Sequence, residues 1–232
     1  QIDNKTTGFN DDTCHSFGYG YQIWLTRGGS YSFLGMGDQL AICIPGSDMV
    51  FVCTADNQGY ESSRAILYRS LWEHVVSHAS DSPLPEDPAA LESLHAKNAS
   101  LEIIPLDGMR ESSFTEKING VTYSMNKNRM GITRTRLTFG GGRGVWEYTN
   151  AGGDRRVAFG IGRCIGGVFP HTEYFGDTIG TPAGRMYQCI SSAAWVEEHK
   201  LMLRIFITDD YFGNMTVSFS FKDNEIGIYM SK

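Results

Sequence analysis

The stretch GYGYQIWLTRGGSYSFLGMGDQLAICIPGSDMVFVCTAD (residues 18–56) decides the fold of the first part of the chain. GYGYQIWLT (18–26) is a β-favouring run, and Arg27-Gly28-Gly29-Ser30 turns it. SYSFLGMGDQLAICI (30–44) is the second run, ended by Pro45-Gly46-Ser47-Asp48. MVFVCTA (49–55) is the third. Loops this short join antiparallel neighbours, so the three runs predict a three-strand meander. The third run is apolar on both faces, which predicts a central or doubly covered strand.

Downstream the period changes. In residues 60–79 (YESSRAILYRSLWEHVVSHA), Ala65, Tyr68, Leu71, Trp72, Val75, Val76 and Ala79 recur at three and four. That spacing predicts an amphipathic helix packed on the meander. SDSPLPEDP (80–88) holds three of the seven prolines and no core pattern, so it reads as a boundary. Asp87-Pro88 fits an N-cap and first-turn proline, predicting a short helix to about Lys97. From about Ser113 onward only strand signals appear, with Asn119-Gly120 reading as a two-residue hairpin turn between EKI and VTYSM. Eight to ten strands without an intervening helix predict a small antiparallel barrel or sandwich, and the barrel is favoured because closure removes exposed edges. The expectation is an α+β chain in three parts: residues 1–80, a Pro-rich linker with a short helix at 81–112, and an all-β barrel at 113–232.

Composition narrows the function. The chain has 232 residues, 41% of them apolar, which suffices for one or two cores. A net charge of −6 argues against nucleic acid as a partner, and no apolar run approaches the ~20 residues of a membrane span. Gln1 is not an initiator methionine, and residues 1–16 lack a signal-peptide pattern, so the start reads as processed, trimmed or internal. Five scattered cysteines (Cys14, Cys43, Cys53, Cys164, Cys189) read as buried small hydrophobes in a reducing, cytoplasmic compartment. A Cys43–Cys53 disulfide across adjacent strands is the lesser alternative. Neither a metal site nor a cofactor is expected, as no ligand spacing is present.

Gly18-Tyr19-Gly20-Tyr21, Trp24, Gly35, Gln39, Pro45 and the run from Met49 to Asp56 stand in an order that resembles the C-terminal end of the serine beta-lactamase and penicillin-binding-protein superfamily, nearest its beta-lactamase-related esterases and amide hydrolases. The helix at 60–79 resembles the family's closing helix, and the β-rich tail a lipocalin-like accessory domain. The resemblance implies that Phe33-Leu34-Gly35 is the strand lining the pocket, with Met36 N–H as an oxyanion donor and Gln39 in the pocket wall. Such a donor contributes roughly 3 kcal/mol to a tetrahedral intermediate. Phe33 stands where the family carries a cation, which implies an ester or neutral amide rather than a classical beta-lactam substrate. The family's Ser-x-x-Lys nucleophile has no counterpart at a helix start, so the chain alone is expected to be inactive. Its implied partner is the N-terminal part of the catalytic domain or a second copy of the chain.

Two matches are set aside. Ser124-Met125-Asn126-Lys127 spells Ser-x-x-Lys and Tyr148-Thr149-Asn150 spells Tyr-x-Asn, but both fall on predicted strands and follow Gly35, where the family places them before it. Gly140-Gly141-Gly142-Arg143-Gly144 reads as a hairpin tip, since no helix follows. The alternatives of other classes are a barrel module holding a small apolar ligand around Trp146 and Trp195, and a purely structural or dimerising domain.

Overall fold

A computed structural model describes residues 17–57, 63–170, 186–209 and 213–231. The chain is β-rich α+β and divides into two compact units, residues 1–100 and 101–232.

Among the described residues the first unit is a five-stranded antiparallel meander, β1 (Tyr19–Gly20), β2 (Ile23–Leu25), β3 (Tyr31–Gly35), β4 (Gln39–Ile44) and β5 (Met49–Cys53), in that spatial order. Two of the expected strands are each split. The run at 18–26 folds back at Tyr21 and Gln22, both at positive φ (51° and 65°), the backbone of a tight hairpin turn. The run at 30–44 reverses at residues 36–38, where Gly37 and Asp38 have φ of 74° and 68°. Neither Tyr nor Gln is a turn-forming residue, which hid the first reversal from a reading by composition.

Strand β5 is an edge strand, not the central one expected, and its Val50 and Val52 are each 64% exposed. The helix α1 (Ser63–His74) is shorter than the stretch expected, and a 3-10 turn follows at Val76–His78. The start of the expected helix, 60–62, lies outside the described residues. Tyr68 and Leu71 of α1 bury against Leu40, Ile42 and Ile44, with Leu34, Phe51, Leu67 and Trp72 around them. Tyr68 Oη donates to Ser32 Oγ at 2.8 Å, so the only deeply buried hydroxyl of β3 is paired where the helix crosses it. The helix α2 (Pro88–Ala99) is capped as expected, with Asp87 Oδ1 accepting from Ala90 N at 2.9 Å.

Among the described residues of the second unit, the short helix α3 (Phe114–Ile118) precedes nine strands: β6 (Thr122–Ser124), β7 (Arg134–Gly140), β8 (Arg143–Asn150), β9 (Gly153–Ile161), β10 (Ile165–Val168), β11 (Gln188–Glu197), β12 (Lys200–Ile207), β13 (Asn214–Lys222) and β14 (Glu225–Ser231). They form one sheet ordered β14-β13-β12-β11-β9-β8-β7-β6, with β10 also on β11. The sheet curls almost closed around one core. Two expectations need correction. The residues EKI form the end of α3, so Asn119-Gly120 follows a helix instead of joining two strands. The sheet is not wholly antiparallel: β9 meets β11 in parallel at Gly160–Ser192 and Ile161–Ala193, because the short β10 occupies only the first part of that edge of β11.

Residues 106–109, expected in the linker, lie along β11. Leu106 N donates to Ser192 Oγ at 3.0 Å, and Met109 exchanges both backbone bonds with Trp195 at 2.9 and 3.0 Å. Gly108 permits this approach. Its φ is 149°, and a Cβ there would stand 2.7 Å from Trp195 O.

Candidate functional site

The residues singled out in the sequence converge on the reversal between β3 and β4. Along β3, Ser32 and Leu34 turn toward α1, whereas Tyr31, Phe33 and Gly35 belong to the opposite face. Phe33 is 44% exposed. Met36 opens the turn and is 66% exposed.

Gly35 and Gln39 are register partners across the hairpin. A Cβ at residue 35 would lie 2.8 Å from Gln39 Cβ, so glycine is required by the chain's own packing. Gln39 Nε2 donates to Ala55 O. The Gln39 amide therefore ties the hairpin to the strand end beyond β5. The resemblance implied a place in the pocket wall for this side chain.

The residue that organises the turn is Asp38, which sequence reading passed over. It is 4% exposed and stands at positive φ. Its Oδ1 lies 3.2 Å from Arg64 Nε, and its Oδ2 accepts from Asn57 Nδ2 at 3.2 Å and from Ser63 Oγ. Asn57 N donates to Gly37 O at 3.2 Å. One buried carboxylate thus joins the turn to the end of the sheet and the first residues of α1. Charge-assisted bonds of this kind are about twice as strong as neutral ones. The available signal was a lone acid inside an otherwise apolar run. Burial, together with the Asp38 carboxylate, pushes the nearby Cys53 thiol above its ordinary range.

Beside the turn lies an apolar sheet face. The register aligns Tyr31, Cys43 and Val50 in one row and Phe33, Ala41 and Val52 in the next. Cys53 pairs with Leu40 and packs on the α1 side, so the two cysteines point to opposite faces. Both are free thiols, which overturns the alternative of a disulfide. Cys14 lies outside the described residues.

The tail's candidates fall elsewhere. Trp146 and Trp195 are fully buried in the core of the second unit. Trp146 stacks on Tyr148 at 4.2 Å and meets Phe219 edge-on at 5.1 Å, while Trp195 lies 5.7 Å from Phe221. The indoles fill the barrel and do not line an open cavity. Ser124 ends β6 and Tyr148 is a core residue, so neither forms part of a nucleophilic site. Gly141 and Gly142 form the tip between β7 and β8, as expected. Among the described residues no group of His, Cys, Asp and Glu is placed to hold a metal ion, and no helix is long and apolar enough to cross a membrane.

Comparison with known proteins finds no matching family model, no similar curated protein and no similar solved structure.

Proposed function

We propose that the first unit is the oxyanion-side wall of a serine beta-lactamase-like hydrolase acting on an ester or neutral amide. Its nucleophile and base partner lie outside residues 1–232, and the second unit is a lipocalin-like accessory barrel. The observation that carries this reading is the β3–β4 turn, with Met36 exposed and Asp38 anchored beneath it. An oxyanion donor stabilises a transition state only when it is fixed in advance, because reorganising it during the reaction cancels the gain. A turn held by Asn57, Ser63, Arg64 and Gln39 meets that requirement.

The neighbouring face supports the same reading. Phe33, Val50 and Val52 form an exposed apolar surface next to the turn, and β5 presents an unpaired edge among the described residues. The rest of a catalytic fold would cover both and bring the serine to Met36. The aromatic Phe33, in place of a cation, suits an uncharged acyl group.

Serine-directed fluorophosphonate labelling tests the proposal. Residues 1–232 alone are expected to stay unlabelled, and the product of the complete reading frame is expected to label at a serine outside them. Met36→Pro, which deletes the N–H, should slow that labelling about 10²-fold, while Met36→Ala leaves it unchanged. Specific labelling of the 232-residue chain, or full-rate labelling of a folded Met36→Pro protein, overturns it.

A further inference from the structure

The second unit carries a pocket of about 660 Å³ at one end of the barrel, between α3, the β7–β8 tip and the turn after β9. Ligand sites commonly occupy barrel mouths and have volumes of this order. Its apolar wall is Phe139 and Ile161, both partly buried against the core. Three arginines, Arg110, Arg143 and Arg163, line it. The segment pinned along β11 delivers Arg110, whose Nε would lie 2.7 Å from a Cβ at Gly162. Among the described residues none of the three arginines makes an ion pair or a side-chain hydrogen bond.

Thr115 lines the pocket, with its Oγ1 buried away from the opening. The pocket's two acids, Glu111 and Glu116, also line the adjoining groove that contains Glu198. The acids thus occupy the α3 side, and the strand side is left to Arg143 and Arg163.

We infer that this barrel mouth binds a small molecule with an apolar body and one carboxylate or similar anionic group. The body lies on Phe139 and Ile161, and the anion meets the arginines. Guanidiniums suit this task because their planar forks match carboxylate geometry. The site is separate from the proposed hydrolase wall and stands or falls without it.

The test is a heteronuclear NMR titration of the 232-residue protein with 4-phenylbutyrate, 4-phenylbutanol and 4-phenylbutylamine. The acid is expected to shift the amide signals of Gly141, Gly142 and Gly162 saturably, with a Kd of about 1 mM or tighter. It should bind about tenfold better than the alcohol, and the amine should bind worst. Arg110→Gln with Arg163→Gln, both at exposed positions, should reduce acid binding to the level of the alcohol. Equal binding of acid and amine, an unaltered Kd in the folded double variant, or no saturable shift at these glycines overturns the inference.

Discussion

Arg64 Nε lies 3.2 Å from Asp38 Oδ1, with the acid's side chain 6% exposed and the arginine's 32%. This pair links the first turn of α1 to the reversal between β3 and β4. Removing one partner of such a pair leaves the other charge buried and uncompensated. Arg64→Ala is expected to destabilise the protein by about 1–3 kcal/mol, a range tempered by the bonds from Asn57 and Ser63 that remain. Asp38→Ala should cost more, because it strands three donors and places alanine at positive φ. Urea unfolding measures both, and a change below about 0.5 kcal/mol for either would refute the anchoring role.

Gly35→Ala tests the close approach of Gln39. The added methyl would meet Gln39 Cβ at 2.8 Å, and overpacking of this kind typically costs about 1–3 kcal/mol. In a Gln39→Gly background that clash disappears, so the alanine should then be tolerated. A double-mutant cycle showing simple additivity would mean the glycine serves something other than this contact.

The alkaline limit of stability follows from two buried groups in the second unit. Burial pushes the Cys189 thiol from 9.0 to about 11. Burial likewise raises Tyr148, opposed by the charge of Arg155. Above pH 9.0 the unfolded chain loses the thiol proton while the folded chain keeps it. The contribution is therefore complete below that pH and is lost as pH rises toward the folded value. Stability should fall by up to about 3 kcal/mol for the thiol over this window. Cys189→Ala should flatten the fall in urea midpoint measured between about pH 8 and about pH 10.5. An unchanged slope would show that the thiol does not contribute.

Trp146 Nε1 donates to Thr135 Oγ1 at 2.9 Å inside the barrel. Trp146→Phe and Thr135→Val should each cost about 1–3 kcal/mol, and the pair should cost less than their sum. Thermal unfolding of the four proteins measures the coupling. Strict additivity would mean that the bond contributes nothing beyond packing.

Much of the architecture is legible in the sequence because burial imposes a period. The alternation of β12 and β13, and the stripe carrying Tyr68 and Leu71, register directly which side meets a core. What escapes reading is set by backbone and context. Tyr21 and Gln22 adopt positive φ without any turn-forming side chain to announce it. Asn119-Gly120 carries a hairpin signal, yet the helix before it changes what the pair connects. There the Asn119 side chain bonds to Phe139 through both its Oδ1 and its Nδ2. Within the candidate stretch from Phe33 to Gln39, Asp38 gains its role from Asn57, Ser63 and Arg64, 19 to 26 positions away. No local pattern encodes that meeting.

The most direct measurement is a crystal structure of the complete reading frame's product carrying a serine-bound phosphonate. The account predicts a phosphonyl oxygen about 2.7–3.1 Å from Met36 N, with Phe33, Val50 and Val52 covered by residues outside 1–232. A phosphonate whose oxygen is bound by other donors, with Met36 facing solvent and that sheet face still bare, would contradict it.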